Sequence, residues 1–224
     1  PKLEHGYNNQ TLYVNLSDNS IEIKPVDEKM KKAFTGGKGF DLWLMWNSLP
    51  NEKIVKWNDE ENVLCIACGP LGGVTMYPGA GKSIVTTISP ATGIPIDSNV
   101  GGYFGPNLKF AGCDAMEVQG RAKDDIYIFI DGDKGKIEIH DANDLPDTAY
   151  EITRILSERH TEKEGKDMSI VAAGPAADHA WMGCLNFSWW DMRRNIPRYK
   201  QAGRGGTGTV FRNKKIKALV ATLD

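Results

Sequence analysis

The pattern that most limits what this chain can fold into is one that occurs twice. TLYVNL at 11–16 alternates apolar and polar residues, breaks at the polar SDNS, and resumes as IEI at 21–23, the pattern of a β-hairpin. The device returns as IYIFI at 126–130, the turn DGDKG and KIEI at 136–139, about 115 residues further along. Two more landmarks follow in the same order. CIACGP at 65–70 is answered by VAAGP at 171–175, and Gly101-Gly102 by Gly205-Gly206, each about 105 residues on. Hairpins and Gly-Pro turns are common in unrelated chains. The shared order and spacing are what imply two related halves, about 1–120 and 121–224, within one domain spanning 1–224.

Each half then reads as hairpin, helix, strand and glycine loop. In the first, Asp27 is placed to cap a helix over DEKMKKAF. Gly36 and Gly37 break it, and GFDLWLMWNSL sets Phe40, Leu44 and Met45 on one face of a second helix. A strand is expected at 63–67 and another directly after Ser83, where IVTTI is rich in β-branched residues. In the second half the helix falls at 148–159, with strands at 169–173 and at the final KALVATLD. The expected class is therefore α+β: two related β-rich repeats packed as a pseudo-twofold, antiparallel-sheet unit rather than as βαβ crossovers. Such packing brings the glycine loops of the halves near each other, which suits a ligand with two similar ends.

Composition narrows the partners. A net charge of -2 supplies no field to hold nucleic acid or an anionic membrane, and the apolar runs are far too short to cross a bilayer. The opening PKLEHGYNNQ has none of the basic-then-apolar order of an export signal. Four cysteines, Cys65, Cys68, Cys113 and Cys184, suggest a reducing, cytoplasmic setting. Cys65 and Cys68 form a CxxC, but it lies inside the buried-strand pattern ENVLCIACGPL. With no second CxxC and no histidine cluster to complete a metal shell, these thiols read as structural. His5, His140, His160 and His179 are scattered, and no catalytic residue is assigned among them; Asp97 and Asp114 also read as structural.

What the glycine loops hold is the remaining question. PGAGKS at 78–83 ends like a phosphate-binding P-loop, yet Met76 stands where the leading glycine of GxxxxGK[ST] belongs. A strand rather than a helix follows Ser83, so both requirements of a nucleotide P-loop fail. The other loops are DSNVGGYFG at 97–105 and QAGRGGTG at 201–208. Adjacent glycines let the backbone approach a ligand and turn consecutive N–H groups toward an anion. Asn99, Lys82 and Arg204 add side chains suited to phosphate. A tight turn explains any one such loop, whereas three in one small chain, with two cations beside them, point to phosphate. The segment FSWWDMRRNIPRYK at 187–200 reads equally as a contact surface or as core tryptophans beside a solvated basic loop.

LCIACGPLGG, SIVTTISPATG, SNVGGYFGPNLKFAGCDAMEVQGRA and QAGRGGTGTVFRNKKIKALVATLD, in that order, closely resemble the N-terminal domain of the aldehyde ferredoxin oxidoreductases. Those are tungsten or molybdenum enzymes carrying two pyranopterins. YNNQTLYVNLSDNSIEI and GGKGF extend the resemblance over essentially the whole chain. It implies a saddle of two repeats on which the bis-pterin cofactor sits. By the same resemblance, Lys82, Ser83, Asn99, Gly101, Gly102, Ala202, Gly203, Arg204, Gly205 and Gly206 would bind that cofactor. A magnesium ion bridging the pterin phosphates would take the backbone carbonyls of Asn99 and Ala202, in keeping with its preference for oxygen. The tungsten or molybdenum, held by pterin dithiolenes, would need no protein ligand. Lys82 stands where family members often carry an arginine between the pterin and an iron–sulfur cluster; lysine keeps the charge and loses the planar fork. A side chain at Gly205 is expected to displace a phosphate while leaving the fold intact.

The family continues into helical domains with the cysteines of a [4Fe–4S] cluster and the substrate pocket. The resemblance thus implies a partner chain or further domain carrying them, with ferredoxin as electron acceptor, and leaves a homo-oligomer open. The complete enzyme would oxidise an aldehyde to a carboxylic acid, and this chain alone is expected not to catalyse. The alternative is a non-catalytic binding or scaffold protein that keeps the fold without the cofactor, motivated by Lys82 and by the missing cluster region.

Overall fold

The computed structural model describes residues 3–161, 163 and 165–223. Strands β1 (Gln10–Asn15) and β2 (Ser20–Pro25) form the first hairpin, in register from Gln10 opposite Pro25 to Asn15 opposite Ser20. The alternation read from the sequence turns Leu12 and Val14 inward, where both are fully buried. Asp27 caps α1 (Glu28–Ala33) by accepting the Lys29 N–H at 2.7 Å. Helix α2 (Lys38–Ser48) buries Phe40, Leu44 and Met45, as its periodicity predicts, and also Asp41. Strands β3 (Leu64–Ala67), β4 (Ser83–Ile88) and β5 (Pro95–Val100) pair antiparallel in succession. The short helix α3 (Phe104–Phe110) and β6 (Ala115–Gln119) follow.

The second half repeats the series with β7 (Ile126–Asp131), β8 (Lys136–Asp141) and α4 (Ala149–His160), which Thr148 caps. Then come β9 (Met168–Ala172), β10 (Leu185–Asp191), β11 (Ile196–Ala202), the short helix α5 (Thr207–Asn213) and β12 (Ile216–Thr222). Asp224, last residue of the strand read from KALVATLD, lies outside the described residues.

Two six-stranded sheets result, ordered β2-β1-β6-β3-β4-β5 and β11-β10-β9-β12-β7-β8. Read from its other edge, the second is β8-β7-β12-β9-β10-β11, so that β7 takes the place of β1, β8 that of β2, and so on through β12 and β6. The α+β class is as expected. Most strand pairs are antiparallel, but each sheet holds one parallel pair, β1 with β6 and β7 with β12. Parallel neighbours need a long connection, and here it is the whole intervening half: first and last strands close on each other.

The sheets face one another across a common core. Leu12, Ile66, Val85 and Met116 of the first meet Ile128, Val171, Phe187 and Leu219 of the second, with Phe104 of α3 and Phe211 of α5 among them. On the outer faces, α1 and α2 cover the first sheet through Met30, Phe40 and Leu44, and α4 covers the second through Ile152 and Leu156. Strand β3 is covered on both faces, which is why it reads as a continuous apolar run. Leu64 and Ile66 point to the common core, and Cys65 and Ala67 to the helices. No helix among the described residues is long and apolar enough to cross a membrane.

Candidate functional site

Strands β5 and β11 are outer edges of their sheets, and they lie against each other. The glycine loop of each half is thereby braced by the edge strand of the other. Arg204 donates its backbone N–H to Ser98 Oγ on β5 at 3.0 Å, and Gly205 packs on Ile96 of the same strand. In return, Lys200 of β11 runs past Gly101, its Cγ 3.8 Å from where a Cβ on that glycine would stand. The loops predicted to approach one another are in contact through these edges.

Their glycines divide into two kinds. Gly203 has open space where a Cβ would sit, and Gly101 meets nothing nearer than the flexible Lys200 stem. Bare backbone therefore faces outward at these two positions. Gly205 and Gly206 have φ of 65° and 71°, the left-handed region, and any Cβ would overlap Ile96 in one case and the Trp181 carbonyl and Pro90 in the other. Those two glycines are required by the fold itself, so the expectation that a side chain at Gly205 leaves the fold intact is overturned. Among the described residues, no turn or loop hydrogen bond between backbone groups takes up the N–H of Gly101, Gly102, Gly203 or Gly205.

Around this bare backbone the side chains are basic. Lys82, Lys200 and Arg204 are exposed, and among the described residues none of them pairs with a carboxylate. Asp97, by contrast, is engaged by Lys38 at 2.6 Å. Asn99 is exposed on β5. Lys82 ends the loop after β3 and, with Thr35, Leu71 and Tyr77, lines a cavity of about 250 Å³. Unopposed cations, exposed amide side chain and open glycine backbone form a surface suited to phosphate oxygens.

Two predicted residues stand apart from it. Ser83 is buried at 2% exposure with its hydroxyl against Gly105, where it fixes the close approach of α3 to β4. Ala202 is fully buried, and its carbonyl accepts the Thr207 hydroxyl at 3.2 Å. A carbonyl has two lone pairs, but with no exposed surface this one does not reach an ion shared with Asn99 as the loop stands. Of the magnesium pair read from the sequence, Asn99 lies at the surface, whereas Ala202 is fully buried.

Within the segment 187–200 the aromatic residues divide by burial. Phe187 and Trp190 are core residues of β10. Trp189 is half-buried beside the glycine loop, edge-on to Tyr103 at 5.9 Å, with Arg198 and Lys200 each 5.9 Å from its ring centre. Cys65, Cys68 and Cys113 are buried free thiols, and burial pushes the last two up to about 11 and about 12, away from thiolate chemistry. Asp114 accepts the backbone N–H groups of Asn8 and Asn9 at 3.0 and 2.7 Å, a structural role as read. Sequence reasoning read Ser98 within a glycine loop and Lys200 within the 187–200 segment, but missed their contacts: the Ser98 hydroxyl under the Arg204 N–H and the Lys200 stem beside Gly101. Both contacts form only across the junction between halves, and no local pattern signals that.

Comparison with known proteins bears on this geometry. Residues 11–222 match the family model "Aldehyde ferredoxin oxidoreductase, N-terminal domain". The chain is 36% identical over 218 residues to a tungsten-containing aldehyde ferredoxin oxidoreductase of Pyrococcus horikoshii, covering 96% of this chain and 33% of that protein. An aliphatic sulfonate oxidoreductase, WOR-like subunit, of Pyrococcus furiosus is 32% identical, with 97% and 34% covered. Among solved structures, the active-site complex BamBC of benzoyl coenzyme A reductase with 1,5-dienoyl-CoA superposes with a TM-score of 0.83 at 30% identity, covering 97% of this chain and 31% of that one. The chain thus spans about a third of the length of these relatives.

Proposed function

The chain belongs to the family of aldehyde ferredoxin oxidoreductase N-terminal domains, and from that premise we propose that its two glycine loops seat a bis-pterin tungsten or molybdenum cofactor within a larger oxidoreductase. The observation that carries the reading is the open backbone at Gly101 and Gly203, ringed by cations that have no carboxylate partner among the described residues. The matching strand order of the two sheets supports a single cofactor-binding domain of two related halves, each presenting one loop. When bound, the group would supply the redox chemistry of the enzyme.

The roles of this chain's own residues follow from their exposure and charge. Backbone N–H groups at Gly101, Gly102 and Gly203 would take phosphate oxygens, and Arg204 and Lys82 would offset the anionic charge. Lys82 offers a point charge rather than a fork, so it would attract without fixing orientation. A magnesium ion joining the phosphates would find Asn99 exposed. Ala202 would serve only after its peptide turned outward from Thr207. Gly205 and Gly206 would hold the loop in shape.

The substrate pocket and a [4Fe–4S] cluster would come from a further domain or partner chain, with electrons leaving to ferredoxin. Oxidation of an aldehyde to its acid is the substrate reading the relatives favour. The free cysteines favour a reducing cytoplasmic setting. The test is the metal content of the chain purified natively with its associated chains, beside a Gly203→Val variant. The variant is expected to lose tungsten or molybdenum at an unchanged melting temperature, since its side chain enters open space; full metal retention in it would overturn the site.

A further inference from the structure

Lys200 lies outside both glycine loops, yet of the exposed cations it is the one whose stem runs past Gly101, at 3.8 Å from that glycine's Cβ position. The two loops are unequal on their own. QAGRGGTG carries Arg204 within it, whereas DSNVGGYFG carries no cation at all. The register of β10 and β11 makes good that lack. Lys200 pairs opposite Phe187, and Phe187 and Trp189 are the side chains that lie beside Gly102. β11 therefore delivers a cation from the second half onto the loop of the first.

The side chain is also held in place. The Lys200 ammonium sits 5.9 Å from the Trp189 ring centre, and that ring is fixed edge-on by Tyr103, the residue after Gly102. A cation over an indole face is attracted by the ring quadrupole, which limits its wandering while leaving its N–H donors free. The Trp189 indole N–H is itself buried and, among the described residues, donates to no acceptor. Trp189 thus acts through its face. No carboxylate among the described residues neutralises Lys200.

We propose that Lys200 is a phosphate-binding residue of the Gly101-Gly102 loop, supplied across the contact between halves and positioned by the Trp189 ring, as Arg204 is a phosphate-binding residue of the Gly203 loop. The proposal rests on the reading of the loops as phosphate sites and adds a residue to it. The predicted ligand chemistry is a phosphate or diphosphate group, held at the Gly101 loop by Lys200 and at the Gly203 loop by Arg204.

The probe is inorganic pyrophosphate with magnesium, titrated calorimetrically into the full chain and into Lys200→Gln, Lys200→Arg, Arg204→Gln and Trp189→Phe variants at two ionic strengths. Both glutamine variants are expected to weaken binding about three- to ten-fold and to flatten its salt dependence. Lys200→Arg should restore the affinity, and Trp189→Phe should keep most of it, because only the ring face is used. Weakening by Arg204→Gln with no effect of Lys200→Gln overturns the assignment of Lys200 and leaves the loops as phosphate sites. Absence of pyrophosphate binding, or indifference to both glutamine variants, overturns the loop reading and the proposal with it. All positions are at least partly exposed, and equal melting temperatures check that the variants fold.

Discussion

Lys214 closes α5 yet lies in the interior at 2% exposure, its Nζ donating to the Gly120 carbonyl at 2.7 Å and to that of Glu60 at 3.5 Å. Ala122, just beyond Gly120, donates its N–H to the Lys214 carbonyl at 3.2 Å. The residue thus ties α5, and the glycine loop before it, to the junction between the sheets. Burial, with the charge of Arg121 nearby, pulls its pKa from 10.5 down to about 7. Above that value the folded chain holds a neutral amine, while the unfolded chain keeps its proton until about 10.4. Unfolding therefore takes up a proton, and stability rises with pH across this window. Full linkage is about 1.4 kcal/mol per pH unit. Because the folded amine is only half deprotonated at pH 7, the gain averages about 1 kcal/mol per unit, or about 2 kcal/mol from pH 7 to pH 9. Lys214→Met keeps the aliphatic volume and removes the titration, leaving the Gly120 carbonyl without this donor at a cost of about 1–3 kcal/mol. Urea unfolding at pH 7, 8 and 9 should show wild type gaining on the variant by about 2 kcal/mol over that range. Parallel curves for the two proteins would refute the reasoning.

Two further perturbations test the packing beneath the site. Gly205→Val places a β-branched residue at φ 65° and drives it into Ile96, so a loss of about 2–4 kcal/mol is expected in thermal unfolding, with or without ligand. A neutral result would mean that the loop does not sit on β5. Asp114→Ala removes the acceptor for the Asn8 and Asn9 N–H groups and a carboxylate 3.6 Å from the buried Lys109 ammonium. Denaturant titration should show a loss of about 3–5 kcal/mol, and a loss below about 1 kcal/mol would deny the pair its structural role.

The parts of the fold legible in the sequence are those with a local physical cause. Alternation with polar turns marked both hairpins, Asp27 marked the start of α1, and the 3.6-residue period placed Phe40, Leu44 and Met45 on one face. Elements set by distant partners were not legible. β5, PIDSNV, begins with proline and is mostly polar because it is an edge strand, so it read as loop. β6, AMEVQ, is buried almost throughout, and its parallel partner β1 lies at the other end of its half. α3 and α5 are short and carry glycine or proline, which masks helical periodicity.

The same limit applies at the site. The glycine loops were visible as motifs, but composition could not separate Gly101 and Gly203, which face open space, from Gly205 and Gly206, which the fold needs. Nor could it show that Ser83 and Ala202 turn inward. Lys200 belongs to the site only because β11 crosses to the first half. The motif located the surface, and packing decided which of its residues face outward.

The measurement that bears most directly on the central proposal is the tungsten, molybdenum and pterin content of the chain isolated natively together with whatever associates with it. One metal atom and two pterins per copy of this chain are predicted. Absence of both metals and of any released pterin from a folded, natively isolated complex would contradict the proposal and favour a scaffold that keeps the family fold without its cofactor.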